Sequence, residues 1–70
     1  MSFHSWLVRQ CDRDDPVGDL ARDVRDDQDM PDDLKRSDRP EDWRSYLAAA
    51  GACSGAMAAL DRALHEAGVP

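Results

Sequence analysis

The chain has 70 residues, 41% apolar and 34% charged, with a formal net charge of -6 and a mean hydropathy of -0.71. That length admits one small domain, residues 1–70, whose folding hides only about 60% of the unfolded surface, so a second fold is excluded and the core is thin. No apolar run approaches the roughly 18 residues of a membrane span, and Met1 to Leu7 lacks the basic flank and apolar run of a secretory signal, so the expected address is the cytoplasm.

Ser2 is a capping residue, and Phe3, Trp6, Leu7 and Cys11 behind it form one helical stripe that should face the core. The second helix has the clearest start signal. Asp14 and Asp15 supply cap and dipole-favoured charge, and Pro16 takes the first helical position, where no backbone N–H is needed. Its apolar stripe is Val17, Leu20, Ala21 and Val24, with Asp19, Arg22, Asp23 and Asp26 on the other faces, where Arg22 is placed to reach both Asp19 and Asp26. It should end by Asp27 or Gln28, since Met30 precedes Pro31.

From Asp29 to Arg39 the chain reads as a polar loop pinned by Leu34. A third helix starts near Pro40, carries Trp43, Tyr46, Leu47 and Ala50 on one stripe, and stops at Gly51. The last begins about Cys53 or Ser54 and sets Met57, Leu60, Leu64 and Ala67 on one side, with Gly68 as a left-handed cap. Its alanines, Ala56, Ala58, Ala59 and Ala63, favour helix and let neighbours approach closely. No strand-like alternation is present. The expected fold is all-α, a compact bundle of about four short helices around Trp6, Trp43 and Tyr46.

Three blocks carry a family resemblance: Ser-Phe-x-x-Trp-Leu at Ser2 to Leu7, the run Asp14 to Val24 followed by Met30-Pro31, and Asp-Trp-Arg-Ser-Tyr-Leu at Asp42 to Leu47. Together they resemble the YozE family of short bacterial proteins, also called YozE SAM-like. The resemblance implies a fold like the sterile alpha motif and no activity, the family being without an established function. Leu64 stands where members often carry an aromatic, and the tail stops at Pro70, which implies a lighter last-helix core.

The chemistry-bearing residues do not assemble into a motif. His4, His65, Cys11 and Cys53 show neither a nucleophile-and-base arrangement nor the paired spacing of a zinc site. The expectation for them is two small, mostly buried thiols and a solvent-exposed His4. Calcium loops started at Asp12 or Asp27 both place a proline at position five and fail. Gly18, Gly51, Gly55 and Gly68 fit no phosphate-binding loop. No catalytic residue, cofactor or metal is expected.

Charge is uneven: thirteen acidic against six basic residues lie between Asp12 and Asp42. That field repels a phosphate backbone, so nucleic acid is disfavoured as a partner, and only the cluster Lys35, Arg36, Arg39 and Arg44 favours it. The leading expectation is a noncatalytic module of a bacterial cytoplasm that binds another protein, as monomer or homodimer, with Asp19, Arg22, Asp23 and Asp26 as the candidate partner-binding surface. The alternatives are a nucleic-acid-binding domain of this fold, or an acidic mimic of DNA that fills a basic protein's groove.

Overall fold

Ser2 caps the first helix as expected: its Oγ accepts the N–H of Ser5 at 3.1 Å. The computed structural model describes residues 2–69; Met1, and Pro70 with the early tail end read there, lie outside it. Asp38 adds a second cap from thirty-five residues away, its Oδ1 accepting the N–H of Phe3 at 2.8 Å. Helix α1 spans Phe3–Val8 and then tightens into a 3-10 turn, Arg9–Asp12. The stripe therefore breaks before Cys11, which is only partly buried. Side chains take the carbonyls there: Gln10 donates to Trp6 at 3.0 Å, and Arg22 donates to Cys11 at 2.7 Å.

Helix α2, Pro16–Asp26, starts on Asp15, whose Oδ1 accepts from the N–H of Gly18 at 2.9 Å. Val17, Leu20, Ala21 and Val24 are all buried, as the spacing requires. Gly18 is buried too, for a steric reason. A Cβ at this position would lie 1.9 Å from the carbonyl oxygen of Arg13, so only glycine lets the incoming chain cross the first turn.

A short helix, α3, spans Asp32–Arg36 inside the stretch read as loop. It is five residues long and buries Leu34 alone, too short for periodicity to reveal. Two aspartates in its first turn and two cations in its last complement the helix dipole. The bundle thus holds five helices among the described residues, and no strand.

Helix α4, Pro40–Ala49, buries Trp43 completely, with the indole N–H donating to the Ser37 carbonyl at 2.9 Å. The Phe3 ring meets Trp43 edge to face at 5.0 Å between centroids. Trp6 and Tyr46, expected to fill the core, instead line its margin half-buried, and Ala50 is exposed. His4 is likewise not solvent-exposed: it stacks on Trp43 with centroids 6.2 Å apart.

Helix α5, Ser54–Glu66, buries Ala59, Leu60, Ala63 and Leu64. The expected stripe is turned toward the alanines, leaving Met57 and Ala67 half-buried, because methyl side chains let α5 pack closely on its neighbours, α2 and α4. Both α4 and α5 end through left-handed glycines, Gly51 at φ +83 and Gly68 at φ +77. Behind each, an N–H reaches back five residues, Ala52 to Leu47 and Val69 to Leu64, both at 3.0 Å, as in a Schellman end. Every buried side-chain N or O atom among the described residues has a hydrogen-bond partner.

Gly18→Ala should destabilise the chain by about 2 kcal/mol or more, since the added methyl meets backbone and not a movable side chain. Gly55→Ala, where a Cβ would meet only the Cys53 sulfur at 3.8 Å, should stabilise α5 by up to about 1 kcal/mol. Urea denaturation followed by tryptophan fluorescence checks both; equal midpoints for the two variants would refute the contact.

Candidate functional site

Carboxylates outnumber cations here, so the informative question is which of them the architecture already uses. Arg13 anchors the main network. Its guanidinium donates to Asp15 at 2.7 and 3.1 Å and, on its other edge, to both oxygens of Glu66 at 2.8 and 3.2 Å. Arg62 completes the group, 2.9 Å from Glu66 and 3.7 Å from Asp15. The hydrogen bonds from Arg13 and from the Gly18 N–H hold Asp15 below the ordinary carboxylate range, and Arg13 followed by Arg62 does the same for Glu66. Those same bonds, from Glu66 first and then Asp15, push Arg13 further up.

The outer face of α2 divides differently from the sequence expectation. Arg22 pairs with Asp19 but not with Asp26, because the rest of its guanidinium donates to the carbonyls of Cys11 and Arg13 at 2.7 and 3.1 Å. Its work is to clamp the 3-10 turn onto α2. Asp26 pairs with its neighbour Arg25 at 3.0 Å. Asp23 is exposed and has no ion-pair partner among the described residues. Of the four candidate residues, three carboxylates therefore remain on the surface, while Arg22 belongs to the framework.

Beside two of these carboxylates, Asp19 and Asp23, runs a groove of about 330 Å³ between α2 and the start of α5. Asp19 and Asp23 edge it, Leu20 and Ala59 line its base, and Cys53, Gly55 and Ala56 close the far side. Asp23 also borders a second hollow of about 260 Å³, shared with Asp27, Tyr46 and Gly51. There the Tyr46 hydroxyl donates to Asp27 at 2.6 Å, which raises the phenol and ties α4 to the end of α2. Sequence reasoning missed the groove and the Arg13 network. Arg13 reads as one charge within an acidic run, and its partner Glu66 is fifty-three residues away.

The cysteines depart from the expectation of mostly buried thiols: Cys11 is partly buried, Cys53 is exposed, and both are free. The Cys11 sulfur contacts the Asp12 carboxylate at 3.8 Å, and among the described residues no hydrogen bond joins a cysteine or serine to a histidine. His4 is lowered by burial and then by Lys35. No group of three metal-ligating side chains occurs among the described residues. In the basic cluster, Lys35 faces Asp32 at 3.9 Å, Arg39 faces Glu41 at 3.0 Å, and Arg44 faces Asp61 at 2.9 Å. Among the described residues, no helix is long and apolar enough to cross a membrane.

Comparison with known families finds one match, to the model described as the YozE SAM-like fold, over residues 2–66. Neither a curated protein nor a solved structure matches the chain.

Because Asp15 and Glu66 are lowered in the fold, the stability they contribute is present above their ordinary values, 3.8 and 4.5, and is lost as pH falls through and below that range. Urea midpoints of the wild type should hold steady from neutral pH down to the ordinary carboxylate range and drop beneath it. Arg13→Gln should lower the neutral-pH midpoint and flatten the acid dependence; an unchanged pH profile in that variant would count against the network.

Proposed function

We propose that this chain, which belongs to the YozE SAM-like family, is a noncatalytic module of a bacterial cytoplasm that binds another protein through the acidic face of α2. The observation that carries the reading is the division of the carboxylates. Asp15, Glu66 and Asp27 hold helices together, whereas Asp19, Asp23 and Asp26 are exposed and tie α2 to no other helix. Arg22 supports α2 from beside that face, by fixing the 3-10 turn on the helix and by its pairing with Asp19. Surface carboxylates steer a cationic partner and set specificity more than raw affinity.

Direct nucleic-acid binding is the weaker alternative, since three of the four clustered cations face a carboxylate within 4.0 Å and a phosphate would have to displace it. The DNA-mimic alternative shares the acidic face and differs only in the class of partner. It draws on the spacing of Asp19, Asp23 and Asp26, which puts successive charges about 4.5 to 6 Å apart along the helix axis.

Capture from the native cytoplasm with the tagged wild-type chain, against a triple variant Asp19→Asn, Asp23→Asn, Asp26→Asn, tests the assignment. A partner kept by the wild type and lost by the equally helical variant is the expected result. A basic nucleic-acid-handling partner selects the mimic form. Equal retention by both proteins, or no reproducible partner for either, overturns the proposal.

A further inference from the structure

We infer that the groove between α2 and the first turns of α5 receives a lysine- or arginine-bearing amphipathic helix of the partner protein; this rests on the acidic-face reading given above. Charge complementarity sets the class of occupant. Along one wall stand Asp19, three-quarters exposed, and Asp23, without an ion-pair partner among the described residues. The opposite wall is uncharged, made by Cys53, Gly55 and Ala56, and α5 carries no acidic residue in its first turn. Leu20 and Ala59 between them offer an apolar base. A ligand matched to this section has an aliphatic ridge flanked on one side by cations.

The helical form of that ligand follows from what borders the groove. Both flanking elements are helices, and no strand occurs among the described residues. An extended peptide would thus find no sheet edge to extend by main-chain hydrogen bonds, whereas a groove between two helices with an apolar base suits an amphipathic helix laying its apolar face in it. Gly55 keeps the far wall low. A Cβ there would meet only the Cys53 sulfur at 3.8 Å, so a large side chain at this position fills the groove without forcing the backbone.

The experiment uses the full chain carrying Cys11→Ser, which leaves Cys53 as the sole thiol, at the groove wall. The probe is an 18-residue helical peptide of leucine and lysine with one apolar stripe; its twin has glutamate for lysine. The lysine peptide should bind one to one and slow modification of Cys53 by a thiol reagent at least about tenfold, while the glutamate twin does neither. Asp19→Asn with Asp23→Asn, and separately Gly55→Phe, should each weaken binding at least about tenfold while retaining the wild-type circular dichroism spectrum. The inference is overturned if the lysine peptide does not bind, if Cys53 reacts at an unchanged rate under saturating peptide, or if Gly55→Phe binds like the wild type. A cellular partner lost by the triple aspartate variant yet fully held by Gly55→Phe sinks the groove and leaves the acidic face standing; one held by both sinks the acidic-face reading itself.

Discussion

The carbonyl of Arg13 lies where any side chain on Gly18 would stand, and that backbone contact sets how the N-terminal third meets α2. With the turn held this close, the carbonyls of Cys11 and Arg13 come within reach of Arg22. The Arg13 side chain emerges beside Asp15, which caps the same helix, and continues to Glu66 at the end of α5. One glycine therefore places three arginine-dependent links, of which the Arg13–Glu66 pair joins the turn before α2 to the far end of the chain. In a domain with a core of this size, cross-chain links of that kind matter because hydrophobic burial alone leaves a narrow margin over chain entropy.

Two populations of carboxylate result. The first sits where helices start or meet: Asp15 on α2, Asp38 on α1, Asp27 under Tyr46, and Glu66 against Arg13. Each accepts bonds from groups distant in the chain or from a helix N-terminus, so each acts on the geometry of the bundle. The second lies along the open side of α2, where pairing is with immediate neighbours, as in Asp19 with Arg22 and Asp26 with Arg25. Such exposed pairs contribute little to stability. Composition cannot separate these populations, since all of them but Glu66 are aspartates in the same acidic run; position relative to the partner helix does.

The same distinction explains what could be read from the residues. The start of α2 was legible to the residue and its end to within one or two, because Asp15, Pro16 and the stripe from Val17 to Val24 all act locally. Schellman glycines at Gly51 and Gly68 were legible for the same reason. Failures came where tertiary contacts override a local pattern. Arg22 and Gln10 take carbonyls that a longer α1 would have used, so the stripe breaks before Cys11. Five residues around Leu34 form a helix too short to show a period. Trp6 and Tyr46 carry the spacing of core residues but stop at its margin, because Phe3, Leu7 and Trp43 already occupy the centre. Of the candidate site, the aspartates of α2 could be read as a face, whereas the groove beside them depends on how α5 approaches and is invisible in one dimension.

The opening of α5 is where local rules are broken together. Its boundary residue Cys53 makes no side-chain cap bond and its first turn has no acid, whereas α2 has both and α3 and α4 carry first-turn acids. A glycine follows at position 55, although a Cβ there has room. An Asp cap, an acid in the first turn and alanine for glycine would each favour the helix in isolation. An acid at this end, however, would face Asp19 and Asp23 across the groove, and a larger side chain would fill the groove. The bare start of α5 and the carboxylates of α2 thus border one groove, whose lining carries two carboxylates and no cation.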